Sequence, residues 1–200
     1  MTGAHAYAVL DRVERFQGKV FSVVTDRVTM PGGGQAERDY ARHVGAVGVV
    51  PLGDDGRVLL VRQYRHPIAK VMWELPAGLV DVAGEPAPDT ARRELAEEAD
   101  LRCERLDLLL DLHTSPGFSD ELIRIFLARG LSSVPHADRF ARADEEAELT
   151  VEWVPLDEAV AMVFQGEITN AAAAAGVLAA ARARDDGWRP LRSADTPLER

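Results

Sequence analysis

The order of segments along this chain predicts an α+β or mixed α/β fold: strand-like runs first, one helix, further strands, then two helices. Two observations carry that prediction. Runs of β-branched and apolar residues are punctuated by Gly- and Pro-rich clusters, whereas three later stretches change to helical spacing. The composition, 46% hydrophobic and 28% charged over 200 residues, is that of a globular chain, long enough to bury about 70% of its unfolded surface.

Residues 19–30 are rich in β-formers (Val20, Phe21, Val23, Val24, Val28, Thr29), and Pro31-Gly32-Gly33-Gly34 ends the run. A second extended run covers residues 37–52. The turn chemistry of Gly53-Asp54-Asp55-Gly56 sets residues 47–52 against 58–64 as a β-hairpin. Residues 72–75 are short and apolar, Pro76-Ala77-Gly78 bends the chain, and a loop over 81–88 leads into a helix over about 87–100. Residues 106–113, 122–128 and 149–154 read as three more strands. The stretch 132–146 is too polar and irregular for either element, and so long a loop inside a compact domain is usually functional or disordered. Helices follow over 156–166 and 169–184, the second opening on Thr169-Asn170 as N-cap candidates; the last dozen residues read as a loose tail.

Charge and leader signals narrow the function classes. With 23 Lys and Arg against 33 Asp and Glu, the net charge of −10 disfavours non-specific grip on nucleic acid or an anionic membrane, and favours metal cations where acids cluster. A single cysteine, Cys103, cannot form an intrachain disulfide. Asp11, Arg12, Glu14 and Arg15 interrupt the apolar start, so it lacks the core of a signal peptide, and the best apolar window, 171–181, is broken by Gly176. The expectation is a cytoplasmic protein with neither membrane nor nucleic-acid partner.

The densest acidic cluster lies at residues 85–100, where Glu85, Asp89, Glu94, Glu97, Glu98 and Asp100 face only Arg92 and Arg93. On a helix Glu94, Glu97 and Glu98 share one face, an arrangement that like-charge repulsion opposes unless something positive compensates. Arg93 can pair with Glu97 at i+4, leaving Glu94 and Glu98 as oxygen donors suited to a hard cation such as Mg²⁺. The plain alternative is a solvated acidic face.

The surrounding pattern decides against that alternative. Gly78, Glu85, then Arg93-Glu94-Leu95-Ala96-Glu97-Glu98 and Leu101 resemble the Nudix box, with the seven-residue gap between Glu85 and Arg93 that the box requires. Two departures stand out: six residues rather than five separate Gly78 from Glu85, and Asp100 stands where the box carries Gly. Asp is among the few other residues that adopt left-handed geometry. The resemblance covers residues 19–180. Arg62-Gln63-Tyr64-Arg65, Trp73-Glu74-Leu75-Pro76-Ala77-Gly78 and Ser115-Pro116-Gly117-Phe118-Ser119-Asp120-Glu121 look like segments of the ADP-ribose pyrophosphatase subfamily. Pro116, fifteen residues after Leu101, stands where that subfamily's proline does.

The resemblance implies a Nudix α/β/α sandwich. Residues 1–45 would be an N-terminal β segment used in homodimerisation, 46–186 the hydrolase domain and 187–200 the tail. It implies Mg²⁺-dependent hydrolysis of ADP-ribose to AMP and ribose 5-phosphate, with Mn²⁺ as a substitute ion. Glu94 and Glu98 would be the main metal ligands, Glu97 would share an ion, the Ala77 carbonyl would complete a site, and Glu85 would support it. Arg93 would orient the acids. The base would be Glu146, with Glu145 in reserve, from the loop acids at 144–148. Arg62 and Arg65 are candidates for phosphate or ribose contacts, although residues three apart on a strand cannot face the same way. Glu74, Ser119 and Glu121 are candidates for hydroxyl contacts, Pro116 for specificity, and Phe118 or Tyr64 for stacking on adenine. A nucleotide-sugar hydrolase is the nearest rival reading, and a non-catalytic ADP-ribose sensor a more distant one.

Overall fold

The computed structural model describes residues 6–140 and 148–198. The chain divides into two compact units, residues 1–45 with 113–122, and 46–112 with 123–200.

The first unit is an antiparallel meander of β1 (Val9–Gln17), β2 (Phe21–Thr29) and β3 (Gln35–His43). The sequence reading assigns no strand to residues 9–17, because β1 is exposed along its whole length and its apolar residues do not alternate; pairing with β2 makes it a strand. Arg12 grips the buried Asp26 through two hydrogen bonds of 2.6 and 2.7 Å, and the Tyr40 hydroxyl adds a third at 3.1 Å. Arg15 donates to Thr25 Oγ1, which donates to Asp39. Residues 113–122 join this unit along β3, where Ala41 N–H donates to the Phe118 carbonyl at 2.8 Å and Asp120 N–H returns to Ala41 at 3.1 Å.

The second unit has two sheets. β4 (Ala46–Pro51), β7 (Ala77–Leu79), β8 (Leu101–His113), β9 (Leu122–Ser133) and β11 (Arg192–Ser193) form a mixed sheet in the order β11-β8-β9-β4-β7, with β4 and β9 parallel. β5 (Arg57–Arg65), β6 (Lys70–Glu74) and β10 (Thr150–Pro155) form an antiparallel sheet in the order β10-β5-β6. Helix α1 (Ala87–Ala99) packs against Val47, Val49, Leu59, Val61 and Phe126. Helices α2 (Leu156–Gln165) and α3 (Ala171–Asp185) pack against Val50, Leu60, Ile125 and Leu127. Successive strand residues thus enter different cores, so these strands read as continuous apolar runs and not as alternating ones.

The expected hairpin is corrected. Its turn forms, with Gly53 N–H on the Arg57 carbonyl at 2.9 Å, but pairing ends at the single bridge between Leu52 and Val58. Both strands are buried on both faces and each needs two neighbours. β4 finds β9 and β7, β5 finds β10 and β6, and the two diverge into different sheets. The extended run 37–52 breaks at Val44-Gly45 between β3 and β4. Asn170 caps α3 by accepting from Ala173 N–H at 3.0 Å. The segment after Asp186, expected as a loose tail, pairs Arg192 and Ser193 with β8, and Arg129 stacks on Trp188 at 4.6 Å. No described helix is long and apolar enough to cross a membrane.

Candidate active site

Helix α1 starts after Pro86, with Asp89 in its first turn where the helix dipole favours a negative charge. It ends at Asp100, which turns left-handed at φ 55°. Its buried face carries Thr90, Ala91, Leu95 and Ala99, and among them two carboxylates, Glu94 at 8% exposure and Glu98 at 4%. Acids are rarely so deeply buried, because a desolvated charge is costly unless it is paired and hydrogen-bonded.

The pairing is supplied locally. Arg93 Nη1 donates to Glu94 Oε1 at 2.6 Å and to Glu97 Oε2 at 3.3 Å, and its Nε and Nη2 reach Glu85 at 3.3 and 3.1 Å. One guanidinium therefore spans three carboxylates, and these bonds raise its pKa further, so it stays charged at any working pH. The Glu85 carboxyl is held below its ordinary value, first by Arg93 and then by the Thr90 hydroxyl at 2.9 Å. Glu98 Oε2 accepts the Ala77 N–H at 2.8 Å, which ties the last turn of α1 to β7.

Gly78 completes the cradle. A Cβ at that position would lie 2.1 Å from Glu94 Cδ and Oε1, so the carboxylate rests on bare backbone. The donors gathered here, Glu94, Glu97, Glu98 and the carbonyl of Ala77, are all oxygen, the chemistry that hard dications select. Among the described residues no three acidic or imidazole side chains stand in ready ligand geometry. The positive charge between Glu85, Glu94 and Glu97 is that of Arg93.

Other expected site residues fall in three places. On β5 and β6, Arg65 is bidentate on the buried Glu74 at 2.9 and 2.5 Å, while the Arg62 guanidinium lies over the Trp73 ring at 4.9 Å. The two arginines thus take different partners, as strand alternation requires. In the first unit Pro116 and Phe118 are exposed, Ser119 Oγ accepts from the Glu121 N–H at 3.1 Å, and the Glu121 carboxylate takes the Thr114 hydroxyl and stands 3.8 Å from His43. Glu145 and Glu146 lie outside the described residues. One contributor was not singled out from the sequence. Thr90, fully buried, orients Glu85, and its only linear signal is a hydroxyl residue one turn into a helix that follows an acid.

A family model described as NUDIX domain matches residues 42–175. The chain is 44% identical over 192 residues to a Mycobacterium tuberculosis protein named ADP-ribose pyrophosphatase, an alignment spanning 96% of this chain and 91% of the relative. It is 37% identical over 153 residues, 76% of this chain and 80% of the relative, to the methanol dehydrogenase activator of Bacillus methanolicus. A crystal structure of an ADP compounds hydrolase matches with a TM-score of 0.75, covering 92% of this chain and 97% of that one at 21% identity, a likeness of fold.

Proposed function

The chain belongs to the NUDIX domain family, and from that premise we propose that it hydrolyses the pyrophosphate bond of ADP-ribose to AMP and ribose 5-phosphate with Mg²⁺. The observation that carries this reading is the cluster of Arg93, Glu94, Glu97 and Glu98 against Ala77 and Gly78, two of its carboxylates buried and each with a donor. The name of the Mycobacterium tuberculosis relative supports the choice of substrate.

Glu94 and Glu98 would hold the ion, with Glu97 and the Ala77 carbonyl as further donors and Glu85 in support. When bound, Mg²⁺ supplies charge neutralisation at the phosphoryl oxygens and acidifies the attacking water. Water oxygen attacks one phosphorus, the bridging P–O bond breaks, and a carboxylate accepts the water proton. We assign that proton to Glu146, with Glu145 as the reserve, because the acids at 144–148 resemble the loop that carries the base in the ADP-ribose pyrophosphatase subfamily. Arg93 fixes the rotamers of the acids and stays charged. Arg62, and Arg65 held in place by Glu74, are assigned to the substrate's phosphates or ribose; Pro116, Phe118, Ser119 and Glu121 are assigned to its recognition.

A homodimer belongs to the same proposal, supported by the side chains of Val9, Leu10, Val13 and Phe16, which are 39–54% exposed along β1. So does a cytoplasmic site of action, for which the lone Cys103 requires no oxidising compartment. The test is product analysis with ADP-ribose, nucleotide sugars and diadenosine polyphosphates, each with Mg²⁺ and with EDTA. AMP released fastest from ADP-ribose and abolished by EDTA is expected. Preference for a nucleotide sugar would overturn the substrate, and binding without turnover would overturn the reaction.

A further inference from the structure

We propose that Gly176, on helix α3, is a positioning residue for this reaction: by leaving room for Leu75 it sets how the crossover 75–78 lies against the carboxylates of α1. Glycine inside a helix costs stability relative to alanine, and Gly176 follows a run of five alanines, so its presence there asks for a reason. The reason is a close approach. A Cβ at Gly176 would stand 2.9 Å from Leu75 Cδ1, 3.1 Å from Val50 Cγ2 and 3.3 Å from Ile125 Cγ2. Across from it, Leu75 Cδ1 is 3.7 Å from where a Cβ on Gly48 would be. Leu75, 2% exposed, is thus lodged between the bare backbones of α3 and β4.

Leu75 stands where the chain leaves β6 for β7, and it belongs to neither ladder. The next three residues all meet the site or its support. The Pro76 carbonyl accepts the Val49 N–H at 2.9 Å, Ala77 pairs with Gly48 and donates its N–H to Glu98 at 2.8 Å, and Gly78 is the bare backbone under Glu94. Leu75 therefore anchors the crossover on the α3 side while Ala77 and Gly78 carry the carboxylates on the α1 side. Val50 and Ile125 sit on strands with a neighbour on either side and yield little, so crowding at Gly176 falls on Leu75. Reaching an ordinary contact of about 3.5 Å requires Leu75 Cδ1 to retreat by about 0.6 Å. That movement is passed through two peptide units to the Ala77 N–H and the seat of Glu94. This inference rests on the assignment of the ion to Glu94 and Glu98.

The test uses the full chain, well below its thermal midpoint, and follows kcat for ADP-ribose, Mn²⁺ affinity by calorimetry and, without metal, exchange of the Ala77 amide proton by NMR. Gly176→Ala crowds Leu75, and Leu75→Val removes the methyl that anchors the crossover. Since about 1 Å at a reacting centre costs about 100-fold, the smaller shift in Gly176→Ala should lower kcat about tenfold. Weaker Mn²⁺ binding and faster exchange at Ala77 should accompany it, and Leu75→Val should move all three readouts the same way. The Gly176→Ala/Leu75→Val pair conserves the total volume and is expected to recover toward wild type. Wild-type kcat, Mn²⁺ affinity and Ala77 exchange in folded Gly176→Ala would overturn the proposal, even with a lowered midpoint, because the glycine would then serve packing alone. Should Gly176→Ala not fold, Leu75→Val decides, and unchanged readouts there overturn the proposal equally. A pair whose losses add does so too. Glu98→Gln separates the two readings. If it keeps normal turnover and Mn²⁺ affinity, the ion assignment is wrong and the positioning role goes with it. If it loses both while Gly176→Ala and Leu75→Val lose neither, only the positioning role is wrong.

Discussion

Replacing Gly78 by alanine should disable the site while leaving the fold intact. The backbone at Gly78 is not at positive φ, so alanine introduces no dihedral strain. The conflict is steric. The new Cβ would lie 2.1 Å from Glu94 Cδ, an ordinary contact is about 3.5 Å, and the carboxylate must retreat by about 1.4 Å. It cannot do so freely, because Arg93 holds Glu94 at 2.6 Å while also bonding Glu85 and Glu97. A misplacement of about 1 Å at a reacting centre costs about 100-fold, equivalent to about 2.7 kcal/mol of transition-state stabilisation. The assay is AMP release from ADP-ribose across a Mg²⁺ titration, with Mn²⁺ binding followed by calorimetry. Both turnover and ion affinity should fall. Gly166→Ala is the control: its φ of +77° strains alanine but nothing lies within 4 Å of the new Cβ, so about 1 kcal/mol of stability should go and activity should stay. Wild-type turnover and Mg²⁺ half-saturation in Gly78→Ala would refute the cradle.

Three further outcomes are expected. Glu98→Gln removes a ligand charge from a site where Glu98 also accepts the Ala77 N–H at 2.8 Å, and kcat at saturating Mg²⁺ should drop about a thousandfold or more; near-normal turnover would remove Glu98 from the ligand set. In the first unit, the Arg12 guanidinium holds the Asp26 carboxyl below its ordinary value, with Tyr40 assisting and burial opposing. A carboxyl lowered in the folded state contributes stability that is complete above its unfolded value near 3.8 and is lost as pH falls through the folded one, so Asp26→Asn should flatten the acid limb of an unfolding curve followed by circular dichroism. A pair of charges on β1, Val13→Asp with Phe16→Asp, should lower the mass measured by sedimentation equilibrium to that of one chain; an unchanged mass would place the contact between copies elsewhere.

Much of the site was legible along the chain because its chemistry is local. Glu94, Glu97, Glu98 and Arg93 fall within six residues of one helix, so the 3.6-residue period alone puts them on one face and pairs Arg93 with Glu97, which are found 3.3 Å apart. The left-handed close at Asp100 and the Asn170 cap were likewise local, each set by what one residue's backbone or side chain can do. Arg65 and Glu74 were both expected as substrate contacts, and only the pairing of β5 with β6 showed them bound to each other.

The sequence by itself determined the helices, the α+β class, the carboxylate face and the family resemblance, because each rests on interactions within a few residues. Tertiary structure alone decided which sheet each strand joined. The turn at Gly53–Gly56 is local, but β4 pairs with β9 at a separation of 77 residues and β5 with β10 at 88 to 98, and burial on both faces overrode the hairpin. It also decided that Glu94 would rest on Gly78 and Glu98 on Ala77, sixteen and twenty-one residues apart, since only the packing of α1 against β7 brings a helix carboxylate onto bare strand backbone.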